Sequence, residues 1–275
     1  MPELPEVETI RRQLEKSIGQ VITSVEYTPS KVIRGNMSAL ENVTIRFVRR
    51  FGKLLVIDLS NNVTLTVHLK MTGRLSLLGI NEPNPSYSHI AFLLQQKNES
   101  KPSMKLVFSD MRKFGFVSIH AANEIENLPF IMKLGKEPLK DLTLNDFQSL
   151  LSASSRAIKV FLLDQSKIAG IGNIYDCEAL WMARIDPRRS ANSLLYTEVK
   201  RLFRAIEEVL TEGIERGGAS DNTYRNLFGG KGQYQDFFKV YGRAGKGCLR
   251  CSTEIVRESL GGRGTFYCPM CQKKG

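Results

Sequence analysis

Four cysteines near the C-terminus constrain this chain more than any other feature. Cys248 and Cys251 form one Cys-x2-Cys knuckle, and Cys268 and Cys271 form a second after sixteen intervening residues. Each knuckle brings two sulfurs to one ion, and four thiolates in a tetrahedron leave no coordination position for water. The spacing predicts one structural Zn2+ held by Cys248, Cys251, Cys268 and Cys271, closed to catalysis. The interval Ser252 to Tyr267 accommodates a hairpin whose turn includes Gly261-Gly262. Arg250, Arg257 and Arg263 lie on or beside that hairpin, where cations suit phosphate. Such ribbons occur in transcription and translation factors too, so the module points to nucleic acid more than to an enzyme. The fifth cysteine, Cys177, lies in a helical pattern beside Leu180 and reads as a buried apolar residue.

The charge balance agrees with a polyanionic partner. Among 275 residues, 39 Lys and Arg face 28 Asp and Glu, a net charge of +11. A field of that sign concentrates polyanions near the surface, and it excludes neither a ribosomal protein nor a membrane-surface binder. No stretch approaches the ~20 apolar residues that span a bilayer. The opening residues are acidic where a secretory signal is basic. The expected compartment is the cytosol, where a disulfide framework is not expected.

Periodicity divides the chain into three. Leu4, Val7, Ile10, Leu14 and Ile18 recur at helical spacing, so a helix starts almost at the terminus. Between about Val21 and His120, short Val-, Ile-, Leu-, Thr- and Phe-rich runs predict strands at Val21–Tyr27, Val43–Val48, Leu54–Leu59, Val63–Leu69, Ile90–Leu94, Lys105–Phe108 and Phe116–Ile119. Helical patterning follows at Leu144–Leu151, Ala157–Leu163, Tyr175–Trp181 and Thr197–Arg216. The expected class is α+β multidomain: a β-sandwich with a leading helix over 1–130, a helical domain over 131–235 and a zinc ribbon over 236–275.

The N-terminus carries a possible chemistry. Pro2 has a small side chain, so Met1 is expected to be removed, exposing a secondary amine with a pKa of about 7.7–8.0. An amine of that basicity is partly free at neutral pH and can form an iminium with a sugar aldehyde carbon. Glu3 and Glu6, three apart on one helix face, are placed to move protons beside it. Proline and glutamate also start ordinary helices, so this pattern alone decides nothing.

Six blocks, taken together and in order, narrow the reading: Pro2 to Thr9, His68 to Gly73, Asp110 to Gly115, Ala169 to Tyr175, Val240 to Arg243, and the ribbon with Gly262 to Thr265. In this the chain resembles the bacterial formamidopyrimidine-DNA glycosylases over nearly its whole length. The resemblance implies a bifunctional glycosylase and abasic-site lyase acting on damaged double-stranded DNA. Its substrates are 8-oxoguanine paired with cytosine and ring-opened formamidopyrimidines, and it cuts the strand by β,δ-elimination. Pro2 is the implied nucleophile at C1′, Glu3 the general acid and Glu6 a second active-site acid. Lys53 is counted with that set and, with His68 and Arg263, matches the phosphate clamps. Met71, Arg112 and Phe114 are the implied plug, probe and wedge that fill the space left by the everted nucleotide. Asn173, in a helix–two-turns–helix element, is implied to hold a flanking phosphate at a helix N-terminus. Lys159 matches a family lysine with a supporting role. The loop from Gly217 to Gln233 is expected to close over the everted base. A monomer in the bacterial cytosol is implied.

Three departures stand out, one being that the loop from Gly217 to Gln233 matches only at its ends. Lys53 lies one residue further from Arg49-Arg50 than in the commonest bacterial form, and Met111 and Lys113 replace the usual proline and arginine. Competing readings are an endonuclease VIII-like enzyme for oxidised pyrimidines, which usually has glycine where this chain has Leu4, and a non-catalytic zinc-ribbon DNA-binding protein, which has no need of Pro2 with Glu3. A ribosomal or transcription protein leaves the N-terminus unexplained.

Overall fold

The structure, a computed structural model, describes residues 1–221 and 223–273. Asn222, within the expected closing loop, and the last two positions of the expected ribbon lie outside the described residues. The chain forms two compact units, one of Met1–Met132 with Gly217–Gln233, the other of Lys133–Arg216 with the chain from Tyr234 onward.

The first unit opens with α1 (Leu4–Leu14), followed by β1 (Val21–Tyr27), β2 (Ile33–Arg34), β3 (Val43–Phe51), β4 (Leu54–Leu59), β5 (Val63–His68), β6 (Gly73–Gly79), β7 (Ser88–Gln95), β8 (Met104–Asp110), β9 (Phe116–Ala121) and α2 (Pro129–Met132). Strands are hydrogen-bonded in the order β2-β9-β5-β4-β3-β1-β7-β8-β6. The seam is narrow: β1 meets β3 only at Val21↔Thr44 and Ile22↔Val43. The two halves so joined share one core, with Leu75, Phe92 and Phe108 from one half, and Ile45, Leu55, Ile57 and Val67 from the other. Val7, Ile10 and Leu14 of α1 enter the same cluster. Each such side chain contributes roughly 1.5–3 kcal/mol by leaving water, which fixes the first turn of α1 against the sheet.

Three differences from the sequence reading have physical causes. The helix ends at Leu14 rather than Ile18, and Ile18 is 44% exposed although its spacing is helical. Strand β6 was not expected, because Gly73 and Gly79 at its ends look like turn residues; its Leu75, Ser76 and Leu77 are buried against β8. Residues 217–233 were expected with the helical domain but belong to the first unit. Their anchors explain this: Leu227 N–H donates to Gln13 Oε1 at 2.9 Å, and Leu77 N–H donates to the Leu227 carbonyl at 2.9 Å.

The second unit holds α3 (Leu144–Ser152), α4 (Ile158–Leu162), α5 (Asn173–Met182), α6 (Tyr196–Glu215) and the hairpin β10 (Val256–Leu260) with β11 (Arg263–Tyr267). Cys177 and Trp181 of α5 share a core with Val240, Cys248, Ile255 and Cys268. Helices and ribbon thus share part of their core. Among the described residues, no helix is long and apolar enough to cross a membrane.

Candidate active site and zinc ribbon

Pro2 and Glu3 are buried at the head of α1, while Met1 beyond them is 44% exposed. Glu3 is the N-cap residue and forms a capping box with Glu6, whose Oε2 accepts the Glu3 N–H at 2.7 Å. The other oxygen of Glu6 accepts the Ala219 N–H at 2.7 Å. Glu6 thus ties the start of α1 to the 217–233 loop. Gly218 makes this approach possible: its φ is +85°, and a Cβ there would sit 2.8 Å from Glu6 Cγ. Tyr224 adds a contact from the same loop, its hydroxyl donating to the Gly217 carbonyl at 3.2 Å.

Lys53 occupies the two-residue turn between β3 and β4, where Phe51 pairs with Leu54, and is only 6% exposed. A strap from α1 sets this turn. Arg50 donates to Glu8 Oε2 at 3.1 Å and to the Gly52 carbonyl at 2.7 Å. Burial works against the Glu8 charge, yet Arg11, Arg12 and Arg50 hold its pKa below the ordinary value. No local pattern marks this strap, since Glu8 and Arg50 lie far apart along the chain.

His68 pairs with Leu54 across β4 and β5, beside Lys53, and is buried against the rings of Phe116 and Phe130. Burial first, then Lys70 and Lys53, push its pKa down to about 3. Its Nδ1 accepts the Lys70 N–H at 3.1 Å, so the neutral ring carries its proton on Nε2, free to donate to an oxyanion. A depressed histidine pKa makes the unfolded state the better proton acceptor below about 6.5. Stability attributable to His68 is complete above that pH and falls as acid lowers the pH towards 3. We expect the wild type to lose up to ~3 kcal/mol more than His68→Gln between pH 7 and pH 4. Urea midpoints at the two pH values check this, and equal losses refute it.

Met71 and Phe114 are 42% and 51% exposed, where strand-end apolar residues are usually core. The Arg112 guanidinium lies 4.8 Å from the Phe114 ring centroid. One buried carboxylate, Asp110, supports both turns that carry these three side chains. Asp110 falls within a matching block of the sequence, but the resemblance assigns it no role.

In the second unit, Asn173 begins α5 after Gly172, and its Nδ2 donates to the Gly264 carbonyl of β11 at 2.9 Å. Gln165 braces the preceding turn, accepting from Gly170 N–H at 3.0 Å and donating to the Ile171 carbonyl at 2.8 Å. Lys159 is fully buried beneath this helix start, 3.0 Å from Asp176 Oδ2 and 3.1 Å from Cys177 Sγ. Burial opposes its charge, but Asp176 and Cys177 raise its pKa. Cys177 is 1% exposed and burial pushes its thiol up to about 11, which leaves it a poor nucleophile. Arg263 is exposed beside the β10–β11 turn, where Gly261 and Gly262 have φ of +58° and +73°.

The sulfurs of Cys248, Cys251, Cys268 and Cys271 all lie within 4.8 Å of one another. The separations 4.0 Å for Cys248–Cys271, 3.5 Å for Cys251–Cys268 and 3.3 Å for Cys251–Cys271 bracket the edge of about 3.8 Å expected for a tetrahedron with Zn–S near 2.3 Å. Backbone N–H groups point at the same sulfurs, Arg250 at Cys248 from 3.5 Å and Cys271 at Cys268 from 3.4 Å. The cluster suits one structural zinc ion.

Comparison with known proteins agrees along the whole chain. The family model described as formamidopyrimidine-DNA glycosylase N-terminal domain matches residues 1–117, the one described as formamidopyrimidine-DNA glycosylase H2TH domain matches 134–225, and the zinc finger found in FPG and IleRS matches 245–274. A formamidopyrimidine-DNA glycosylase of Pelotomaculum thermopropionicum is 42% identical over 280 residues, covering 99% of each chain. One of Streptococcus pyogenes is 41% identical, covering 100% of this chain and 99% of its own. Among solved structures, Lactococcus lactis Fpg in complex with an abasic site containing DNA superposes with a TM-score of 0.91 at 36% identity, over 99% of this chain and 100% of that one. A complex of the same organism's wild-type Fpg with an oxidised pyrimidine containing DNA gives 0.90 at 35% identity, over the same shares. With three family models matching in order from the N-terminal helix to the four-cysteine ribbon and a relative 42% identical over 99% of the chain, the chain belongs to the formamidopyrimidine-DNA glycosylase family.

Proposed function

We propose that the chain excises oxidised purines from duplex DNA and then cleaves the strand at the resulting abasic site. The observation that carries this reading is the Pro2–Glu3 pair, set at the head of a helix next to a solvent-exposed Met1. Removal of Met1 turns the Pro2 nitrogen from a tertiary amide into a free secondary amine. That nitrogen attacks C1′ as the damaged base departs with its bonding electrons, and the adduct collapses to an iminium. Loss of a proton from C2′ then expels the 3′ phosphate, and a second elimination expels the 5′ phosphate. Glu3 acts as general acid at the sugar oxygen. Lys53 and neutral His68 donate to phosphates from the first unit, and Asn173 and Arg263 do so from the second. Met71, Arg112 and Phe114 fill the vacated stack.

For Glu6 the geometry favours positioning over proton transfer, because both oxygens already accept backbone N–H groups. Glu6→Gln turns one amide face towards a donor and leaves a buried N–H unsatisfied, a cost of roughly 1–3 kcal/mol. We expect excision to fall about tenfold or more, with faster proteolytic nicking within 217–233. Unchanged nicking alongside slow excision would return Glu6 to the role of acid.

The protein is proposed to act as a monomer in the bacterial cytosol. Duplexes carrying 8-oxoguanine opposite cytosine, a formamidopyrimidine, an oxidised pyrimidine or no lesion test the substrate class. The reading requires cleavage of the first two well above the undamaged control. Preference for the oxidised pyrimidine would support the endonuclease VIII-like alternative, and binding without cleavage a non-catalytic protein.

A further inference from the structure

The turns that carry the proposed stack fillers meet at one carboxylate. Met71 and Thr72 lead into β6, Arg112 to Phe114 leave β8, and Gly73 pairs with Asp110 where the strands meet. Asp110 is 1% exposed. Its Oδ1 accepts the Thr72 hydroxyl at 2.5 Å and the Arg112 N–H at 3.2 Å, and its Oδ2 accepts the Gly115 N–H at 2.7 Å. Thr72 Oγ1 in turn lies 3.3 Å from the Arg112 N–H, so the two turns also touch each other. Asp110 is itself fixed by its backbone. Its N–H donates to the Tyr87 carbonyl at 3.0 Å, and His89 Nε2 lies 3.0 Å from its carbonyl oxygen. Between these anchors the chain runs through Lys113 at φ +56°, a conformation that non-glycine residues hold only under constraint.

We infer that Asp110 is a positioning residue that locks the two turns into one rigid comb, so that plug, probe and wedge enter the base stack together. The inference rests on the filler roles proposed above. Met71, Arg112 and Phe114 are all exposed, so their own side chains do not anchor the turns in the core. The carboxylate is the group common to both. Fillers held in advance do not have to be ordered on binding, which leaves more of the binding energy for everting the nucleotide. A carboxylate is required because it accepts at both oxygens. An amide at this position faces one of the three donors with a donor of its own.

Asp110→Asn, which keeps size and shape, tests the idea in the full chain. Under single-turnover conditions we expect excision of an oxidised purine to fall about 30-fold. Cleavage of a preformed abasic site, where no base has to be everted, should fall roughly tenfold less. Thr72→Val should show the same imbalance more weakly, and Thr72→Ser should restore it. Amide exchange should quicken over both 70–73 and 111–115 in Asp110→Asn, while β7 keeps its protection. Equal losses on the two substrates would reduce Asp110 to a fold-stabilising role, and quickening confined to 111–115 would refute the lock. If the wild type excises no oxidised purine, the functional reading fails, and the exchange pattern still judges the coupling by itself.

Discussion

Protein that keeps Met1 is expected to cleave an 8-oxoguanine duplex at least about 10^3-fold more slowly than Met-trimmed protein, a loss of about 4 kcal/mol in transition-state stabilisation. The cause is electronic. With Met1 attached, the Pro2 nitrogen is an amide whose lone pair is delocalised into the carbonyl, and it cannot attack C1′. A large residue at position 2 hinders Met1 removal, so Pro2→Glu supplies the retained form, while Pro2→Gly keeps a free but primary amine. Borohydride separates the cases, since reduction of an iminium leaves a stable protein–DNA adduct. The trimmed wild type should be trapped through residue 2, Pro2→Gly should be trapped more slowly, and Pro2→Glu should not be trapped. Pro2 and Glu3 lie buried at the head of α1 while Met1 is exposed, so trimming is expected to free the nitrogen without moving α1. An adduct mapped to a lysine, or trapping by Met1-retaining protein, would defeat the assignment of the nucleophile.

How much of this could be read from residues alone depended on the range of the interaction. Helical periodicity located α1 and α6 because each shows its own apolar face, and the cysteine spacing located the metal cluster because both knuckles are local. Strand β6 stayed hidden since its burial comes from pairing with β8, thirty or so residues later, and its terminal glycines resemble turns. The loop at 217–233 follows α6 in sequence but takes its hydrogen bonds from Gln13, Glu6 and Leu77, more than a hundred residues earlier. Asp110, Glu8 and Arg50 are the same case in the site. As residue types they look like ordinary surface charges, and only the folded chain shows what each holds. Met71 and Phe114 run the other way, because residue type alone places them in the core, and the matching blocks, not the periodicity, marked them as exposed.

Removing zinc should lower affinity for damaged duplex roughly 100-fold, about 2.7 kcal/mol, while the first unit keeps its sheet. The hairpin has two five-residue strands, too little for a two-stranded ribbon to persist alone in water. Its support is the four-sulfur cluster and the core around it. Trp181 Nε1 donates to Cys248 Sγ at 3.4 Å, Arg250 stacks 3.7 Å from the Trp181 ring, and its guanidinium donates to the Trp181 carbonyl at 2.6 Å. Without the ion, thiolates crowded within 4.8 Å repel one another unless they take up protons, and the knuckles open. Two proposed phosphate ligands go with them. Arg263 loses the β10–β11 turn that presents it, and Asn173 loses the Gly264 carbonyl that orients its amide at the head of α5. Metal analysis should find one zinc per chain, and a strong chelator or Cys248→Ser should produce the affinity loss without a change in the β-sheet circular-dichroism signal. Re-added zinc should rescue the chelated wild type and leave Cys248→Ser impaired. Metal-free protein that binds duplex within about threefold of the holo form would break the link between the ribbon and Asn173, because that link predicts the loss of both phosphate contacts at once.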